Sequence, residues 1–346
     1  MKKIIQNNTW SISSFLENKN YNFDKDQILS NLPGNFIDEA IESISSWDNY
    51  APTPLLKLNK LKDELKLNNI YYKDEDKRFD LKSFKALGGA FAVYKIASEK
   101  KDIKVSTATA GNHGRSVAWG AQRLGLKCKI FISEFVSESR AEAMRNLDAE
   151  VIRVKGNYDN SLKECIEQSN KNNWEIVQDV SWEGYKEVPK LIMAGYTIMV
   201  KEIIDEIDKN SITHVFLQAG VGGMAAAIIA GFAKLSKNIP QFVVVEPENA
   251  DCVFQSIKNN KPTTVDIKKE TVMGGMSCGD VSSIAWEILK NSANSCLTIP
   301  DEAISTAVAL LAEARLSDEK IIGGECAVPG IIALIGSYNN KEYLDK

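Results

Sequence analysis

The stretch HVFLQAGVGGMAAA, residues 214–227, decides the fold class of this chain. A short apolar run is followed at once by a glycine turn and then by an alanine-rich segment, which is the pattern of a strand, a tight turn and a helix. Other β-branched runs, at 103–107, 129–132, 151–154 and 242–245, alternate with helical patterns. Strands that alternate with helices predict parallel sheets with right-handed crossovers, covered by helices on both faces. We therefore expect an α/β protein.

Composition excludes several classes of protein. The chain has 346 residues, of which 44% are hydrophobic and 25% charged, as is ordinary for a globular protein of two domains. A net charge of -4 gives no basic surface for nucleic acid or an anionic membrane. No apolar run approaches the roughly 18 residues that span a bilayer, and residues 1–8 lack the apolar segment of a signal peptide. Six scattered cysteines and two histidines predict reduced thiols in a cytoplasmic protein, with no metal site.

Lys85 is the first candidate catalytic residue. It lies in SFKALGG, residues 83–89, at the start of a helix that the spacing of Phe84, Leu87 and Phe91 predicts. Small apolar neighbours solvate an ammonium group poorly, so this lysine is easily held neutral. Because a neutral amine attacks carbonyl groups, the segment points to a covalent bond with an aldehyde cofactor.

The second candidate site is the turn formed by Gly220, Val221, Gly222, Gly223 and Met224. A glycine turn between a strand and a helix brings backbone N–H groups to the helix N-terminus, where they and the helix dipole favour a phosphate. The same segment satisfies the G-x-G-x-x-A dinucleotide fingerprint, with Glu246 placed to bind a ribose. This alternative keeps an NAD(P)-dependent oxidoreductase open as a remote possibility. A tight turn that binds no ligand is the third interpretation.

The third candidate site is the segment Gly111-Asn112-His113-Gly114, which follows a predicted strand and opens a predicted helix. Ligands of α/β proteins bind at this edge of a sheet, and the backbone N–H groups of the segment suit a carboxylate. An asparagine helix cap beside two turn glycines is the alternative. A nicotinamide enzyme has no need of this loop or of Lys85, whereas an aldehyde cofactor needs both. The three segments together favour pyridoxal 5'-phosphate.

Further motifs accompany these segments: KDE at 73–75, QD at 178–179 with WEGY at 182–185, MGGM at 273–276, and GE at 324–325. With them, the chain resembles the fold-type II pyridoxal-phosphate enzymes, whose fold is that of the tryptophan synthase β subunit. Within that group it is most similar to the diaminopropionate ammonia-lyases, over about residues 50–330. The lysine and asparagine motifs are shared with serine and threonine dehydratases, and the QD, WEGY and QAGVG segments are more specific.

The resemblance implies two doubly wound domains with parallel sheets. Residues 1–82 plus 186–346 would form a large cofactor-binding domain, and residues 83–185 a small domain that closes over the active site. It also implies a homodimer.

The resemblance implies a role for each candidate residue. Lys85 would bind the cofactor covalently and act as the base at Cα, and Asn112 would hydrogen-bond the cofactor's 3'-oxygen. The turn at 220–224 would hold the phosphate, and Cys326 would face the pyridine nitrogen as a neutral partner that suits elimination. A buried core cysteine is the alternative for Cys326. The substrate carboxylate would bind N–H groups of the segment made of Ala110, Gly111, Asn112 and His113.

The implied reaction is elimination of the β-amino group of 2,3-diaminopropionate, which yields pyruvate and ammonia. Asp179 is the expected ligand of the β-ammonium group, because a buried carboxylate prefers a cationic partner; a helix cap before Ser181 is its alternative role. Ala110 stands where these ammonia-lyases typically have an aspartate that serves the D-isomer, so a preference for the L-isomer is implied. A serine or threonine dehydratase, or another enzyme that eliminates or replaces a β-substituent of a small L-amino acid, stays open.

Overall fold

The computed structural model describes residues 10–208, 211–340 and 343. The N-terminal residues 1–8, in which no signal peptide was expected, lie outside them. The chain forms two compact units: unit 1 is Met1–Asn31, Thr53–Asp74 and Met199–Lys346, and unit 2 is Leu32–Pro52 and Glu75–Ile198.

Unit 2 is larger than the predicted small domain of residues 83–185. It also takes in the helices Gly34–Ser45 and Glu187–Tyr196, because both pack against the helix Lys85–Glu99. The functional division, in which residues 83–185 close over the active site, stays a prediction.

The strands in the described part of the chain are β1 (Ser14–Glu17), β2 (Leu55–Lys57), β3 (Tyr71–Lys73), β4 (Lys104–Ala108), β5 (Lys127–Ser133), β6 (Ala149–Val154), β7 (Glu175–Ile176), β8 (His214–Gln218), β9 (Gln241–Pro247) and β10 (Ser295–Ile299). The α-helices there are α1 (Lys25–Asn31), α2 (Gly34–Ser45), α3 (Asn59–Leu65), α4 (Lys85–Glu99), α5 (Asn112–Arg123), α6 (Glu138–Arg145), α7 (Tyr158–Asn172), α8 (Glu187–Tyr196), α9 (Ile198–Glu206), α10 (Gly223–Leu235), α11 (Cys252–Asn259), α12 (Ser283–Ser292), α13 (Ile304–Ala312) and α14 (Pro329–Asn339). The α/β class is confirmed.

The sheet of unit 2 has the strand order β6-β5-β4-β7, and all of its strands are parallel. Val105 of β4 lies opposite Cys128 on one side and Glu175 on the other. Since β4 and β7 are parallel neighbours, the segments that follow them, 109–112 and 177–179, meet at the same edge of the sheet. Four of the predicted candidate residues lie in these two segments: Ala110, Gly111, Asn112 and Asp179.

The sheet of unit 1 has the order β1-β10-β9-β8. β8, β9 and β10 are parallel, and β1 is an antiparallel edge strand. β2 and β3 form a separate antiparallel pair. Buried residues such as Val245, Leu297 and Ile332 form the apolar core beneath the sheet. β8 ends at Gln218 and leads directly into the glycine turn.

No helix among residues 10–208, 211–340 and 343 combines the length and the apolar character needed to cross a membrane.

Candidate active site

Lys85 is the first residue of α4, as the apolar spacing predicted. Its backbone N–H donates to the Ser83 hydroxyl at 3.2 Å, and its side chain is 31% exposed. Behind it, α4 is closely packed: a Cβ on Gly88 would lie 2.5 Å from both the Ile192 carbonyl oxygen and Tyr196 Cε1. The small residues of α4 therefore allow α8 to approach, and this packing fixes the helix that carries the lysine.

The side chains of Lys85, Asp179 and His113 meet in unit 2. Lys85 Nζ forms an ion pair with Asp179 Oδ2, and His113 Nδ1 lies 3.7 Å from the same oxygen. The Asp179 side chain is only 14% exposed. Burial raises the pKa of its carboxyl, but His113 and the Lys85 ammonium outweigh that effect and hold the pKa well below its usual range. A largely buried carboxylate therefore faces Lys85.

Gln178 fixes the segment that carries Asp179. Its Oε1 accepts from the Thr107 hydroxyl at 2.9 Å and from the Ala108 N–H at 3.1 Å. Its Nε2 donates to the Ala108 carbonyl at 3.0 Å and to the Tyr158 hydroxyl at 2.7 Å. All four hydrogen bonds are buried or partly buried, so they clamp this segment to the end of β4.

Tyr185 also holds the segment that carries Asp179 in place, through hydrogen bonds to its backbone. Its hydroxyl accepts from the Gln178 N–H at 2.9 Å and donates to the Ile176 carbonyl at 2.8 Å, and its ring stacks on Trp182 at 4.1 Å. The next helix begins only at Glu187, with Lys186 as its N-cap. The alternative that Asp179 caps a helix before Ser181 is therefore wrong.

The loop between β4 and α5 is shaped by Thr109. Its hydroxyl accepts from the Gly111 N–H at 3.0 Å and from the Gly114 N–H at 3.2 Å. Gly111 is the N-cap of α5 and makes no side-chain cap bond, whereas Asn112 is the first helical residue and is exposed. The asparagine-cap alternative is therefore wrong, and the Asn112 amide is open to a ligand.

Ala110 lies in the same loop and is exposed. Its carbonyl accepts from Arg140 Nη1 at 3.4 Å. The side chain is a methyl group, and so it offers no proton acceptor at this edge of the sheet.

In unit 1, the glycine turn has the predicted strand-to-helix geometry. Gly222 is the N-cap of α10 with φ +86°, and a Cβ there would lie 2.9 Å from Leu289 Cδ1. By contrast, a Cβ on Gly223 would meet nothing within 4 Å. Packing thus requires glycine at 222, while the space at 223 lies beside the N–H groups that a helix N-terminus leaves free.

Gly274 to Met276, a 3₁₀ turn, was not among the predicted site residues, yet it lies between the glycine turn and Cys326. A Cβ on Gly220 would lie 3.2 Å from the Gly275 carbonyl oxygen, and one on Gly275 would lie 3.3 Å from Cys326 Sγ. Cys326 itself is partly buried and packs against the apolar core of unit 1. The glycine pair in MGGM was the available sequence signal for this turn.

Glu246 does not have the geometry of a ribose ligand. It is fully buried, and its two carboxylate oxygens accept from the Val253 N–H at 2.9 Å and the Phe254 N–H at 2.7 Å, in the first turn of α11. Burial outweighs these two hydrogen bonds and raises the pKa of Glu246 to about 8. The interpretation of Glu246 as a dinucleotide ligand is wrong, because the side chain points inward to cap a helix.

These features fit pyridoxal phosphate. Lys85 presents a partly exposed amine, Asn112 an exposed amide, the turn at 222–224 an open helix N-terminus, and Cys326 a neutral sulfur. An aldehyde bonds to an amine and a phosphate is favoured at a helix N-terminus, so each unit by itself offers groups whose chemistry suits this cofactor.

The chain is similar to diaminopropionate ammonia-lyases from two bacteria. Diaminopropionate ammonia-lyase of Escherichia coli strain K12 is 32% identical, over 91% of this chain and 84% of that protein. The protein of the same description from Salmonella typhimurium is 34% identical, over 92% of this chain and 86% of its own length. A crystal structure of the E. coli enzyme in complex with an aminoacrylate-PLP azomethine reaction intermediate matches with a TM-score of 0.87 and 31% identity, and the match covers 97% of this chain and 89% of that one.

The family described as "Pyridoxal-phosphate dependent enzyme" matches residues 47–342, most of the chain. The match includes Lys85, the Asn112 loop, Asp179, the glycine turn and Cys326. From its sequence, its parallel sheets and this match, the chain belongs to the pyridoxal-phosphate-dependent enzyme family and has the fold of type II.

Proposed function

We propose that this chain is a carbon–nitrogen lyase that eliminates the β-amino group of L-2,3-diaminopropionate and yields pyruvate and ammonia. One observation carries the proposal: a largely buried carboxylate, Asp179, lies against the amine of Lys85. An anion held there selects a substrate that carries a second positive charge near the reacting carbon. The identity of 32% to 34% with diaminopropionate ammonia-lyases supports the same substrate.

Lys85 and Asp179 have different roles in the proposed reaction. Bound pyridoxal phosphate supplies the electron sink that makes the α proton of the amino acid acidic. Lys85 Nζ takes that proton from Cα and holds it. Asp179 binds the β-ammonium group, orients the bond from Cβ to nitrogen, and keeps the leaving nitrogen protonated so that it departs as neutral ammonia.

The remaining candidate residues bind and orient. The N–H groups of the loop from Ala110 to His113 receive the substrate carboxylate, and Asn112 fixes the 3'-oxygen of the cofactor. The turn made of Gly220, Val221, Gly222, Gly223 and Met224 holds the phosphate, and Cys326 faces the ring nitrogen. We propose further that residues 83–185 close over the site and exclude water. The open N-terminus of α10 and the exposed amide of Asn112 support these assignments.

Steady-state release of pyruvate tests the substrate. We expect kcat/KM for L-2,3-diaminopropionate to exceed that for L-serine at least tenfold, because only the former gives Asp179 a cationic partner. Higher kcat/KM for L-serine, or turnover of L-threonine to its keto acid in preference to both, would instead establish the dehydratase alternative.

Asp179→Asn tests the role of the carboxylate. This change keeps the size of the side chain and removes its charge, so kcat/KM should fall about tenfold to a hundredfold more for L-2,3-diaminopropionate than for L-serine. Equal losses for the two substrates would show that Asp179 supports the fold of the site and does not select the β-substituent.

We also propose that the chain acts as a homodimer in the cytoplasm. All six cysteines are free in the structure, which suits a reducing compartment. Light scattering should give twice the 38.3 kDa mass of the chain. The mass of a single chain would overturn the dimer.

A further inference from the structure

Three buried side-chain polar atoms of unit 2 have no hydrogen-bond partner in the described part of the chain: Arg115 Nε, His113 Nδ1 and the Tyr196 hydroxyl oxygen. The last two concern the site, because His113 lies beside Asp179 and Tyr196 packs against Phe84, the neighbour of Lys85. His113 and Tyr196 are only 4% and 3% exposed. A buried polar atom without a partner is costly, so its presence in a site indicates that a ligand completes it.

The bonding of His113 fixes which of its nitrogens carries a proton. Nε2 lies 2.8 Å from the Val177 carbonyl oxygen, and because a carbonyl only accepts, Nε2 carries the proton and donates. Burial, as the main cause, lowers the pKa of His113, which favours the neutral ring. In the neutral ring, Nδ1 carries a lone pair and can only accept.

This lone pair faces another acceptor. His113 Nδ1 lies 3.7 Å from Asp179 Oδ2, the oxygen that Lys85 Nζ contacts. Two acceptors side by side in a buried place require a donor between or beside them. An anionic donor would be repelled by Asp179, so the geometry calls for a cation with several N–H groups.

Tyr196 belongs to the same surroundings. Its ring packs edge-on against Phe84, 5.0 Å between centroids, and touches the backbone of α4 at Gly88. Burial raises the pKa of its hydroxyl above the usual range, and the charges of Lys85 and Asp179 both act on it. The hydroxyl stays protonated and presents a neutral oxygen that can accept.

We propose that Asp179, His113 Nδ1 and the Tyr196 hydroxyl together form an acceptor site for one primary ammonium group. In the structure Lys85 Nζ contacts the Asp179 oxygen of this site, and the β-ammonium group of the substrate takes its place and reaches all three acceptors once Lys85 is bonded to the cofactor. The proposal rests on the proposed function and deepens it by adding His113 and Tyr196 as specificity-determining residues.

The chemistry of the site explains why it selects a β-ammonium over a β-hydroxyl. An ammonium group has three N–H donors and one positive charge, which match three acceptors of which one is an anion. A hydroxyl donates a single proton, so with L-serine two of the three acceptors stay unmatched in a buried place. A neutral His113 is essential, because a charged imidazole would repel the cation.

Variants of His113 and Tyr196 test the acceptors one at a time. His113→Gln keeps a donor to the Val177 carbonyl and loses the acceptor at Nδ1, whereas His113→Asn can place an oxygen near the position of Nδ1. Tyr196→Phe removes only the hydroxyl and keeps the ring against Phe84. We expect kcat/KM for L-2,3-diaminopropionate to fall roughly tenfold or more relative to L-serine in His113→Gln and Tyr196→Phe, and less in His113→Asn.

A second measurement does not depend on turnover. The chain has only two histidines, so ¹⁵N imidazole spectra of the full-length protein resolve His113 and His214, assigned with His214→Gln. In Lys85→Met loaded with pyridoxal phosphate, the internal cation is gone. Ammonium chloride should then shift the Nδ1 signal of His113 in a saturable manner, while tetramethylammonium chloride, which has no N–H donor, should not. The signal of the exposed His214 serves as the internal control.

The outcomes separate this inference from the proposed function. If wild-type protein does not favour L-2,3-diaminopropionate over L-serine, the proposed function fails, and this inference fails with it. If wild type favours it but His113→Gln and Tyr196→Phe lower both activities equally, and ammonium leaves the His113 signal unchanged, only the acceptor site is overturned. If a variant does not fold, the ammonium titration of Lys85→Met alone decides the question.

Discussion

Lys85 combines two functions that substitution can separate, since its amine is both a nucleophile and the cation that neutralises Asp179. Lys85→Arg keeps a cation in this place but cannot bond to an aldehyde, whereas Lys85→Ala leaves the Asp179 carboxylate without that partner. We expect both variants to lose covalent cofactor and nearly all turnover, and only Lys85→Ala to lose thermal stability as well.

Peptide mapping after borohydride reduction checks the assignment of Lys85. The reduced cofactor should be found on the peptide that contains Lys85 in the wild-type chain and should be absent from both variants. A pyridoxyl group on another lysine would show that Lys85 is not the residue that binds the cofactor.

Ala110 determines the expected stereochemistry. Lys85 serves as a base on one side of Cα only, and the methyl group of Ala110 cannot accept a proton for the other isomer. We expect kcat/KM for the L-isomer of 2,3-diaminopropionate to exceed that for the D-isomer by about a hundredfold or more, which is the usual effect of a missing general base. Pyruvate release from the two separate isomers measures it.

Ala110→Asp should raise activity on the D-isomer, and Ala110→Asn is the matched control of equal size without a basic oxygen. Comparable kcat/KM for both isomers in the wild-type chain would mean that another residue supplies the second base.

At the scale of elements, the turn that begins α10 has one glycine that packing requires, Gly222, and one that faces open space, Gly223. Glycine at 222 is needed for packing, because its φ is +86° and a Cβ would clash with Leu289, so a change there would disturb the fold. Position 223 is open. Gly223→Asp therefore places a negative charge beside the expected phosphate, and Gly223→Asn adds a side chain of the same size without the charge.

We expect Gly223→Asp to weaken the retention of pyridoxal phosphate about tenfold more than Gly223→Asn does. Fluorescence titration of the cofactor-free variants measures the two dissociation constants. Equal constants would indicate that the phosphate lies away from this helix end.

The cap that Glu246 provides to α11 gives unit 1 a pH-dependent stability. Burial raises its pKa from 4.5 to about 8 in the folded chain. The folded state then holds a proton that the unfolded state has lost, so the contribution is complete below about pH 4.5 and disappears as the pH rises through 8. The effect is at most about 1.4 kcal/mol for each pH unit in this window.

Glu246→Gln cannot titrate. We therefore expect the wild-type melting temperature to fall more between pH 6 and about pH 9 than that of Glu246→Gln, while all other groups contribute equally to both. Parallel melting curves in the two proteins would show that Glu246 is ionised in the folded chain across the whole range.

At the scale of the whole molecule, the sequence predicted those strands that contain β-branched and aromatic runs. The five runs correspond to β4, β5, β6, β8 and β9, because such residues favour strands. The edge strand β1, Ser14–Glu17, has no such run, and its partner lies some 280 residues away in the sequence. A pairing of that kind leaves no local signal.

The sequence likewise predicted only part of the site, namely the residues whose side-chain chemistry marks them without knowledge of the packing. Lys85, His113 and Asp179 carry chemical groups that mark them in the sequence, and the structure brings them together. Tyr196 lies among apolar residues of α8 and is indistinguishable from a core aromatic until the packing is known. Glu246 was misassigned, because periodicity locates the end of a strand but not the helix that folds back onto it.

The ion pair between Lys85 and Asp179 also bears on how the chain acquires its cofactor. A lysine held by a buried carboxylate is a poor target for the many small aldehydes of a cell, since each must first separate the pair. An aldehyde that is anchored by a second group stays long enough for that separation to occur. We therefore expect the chain without cofactor to react faster with pyridoxal phosphate than with pyridoxal, its unphosphorylated form, in a stopped-flow measurement of the absorbance of the lysine adduct.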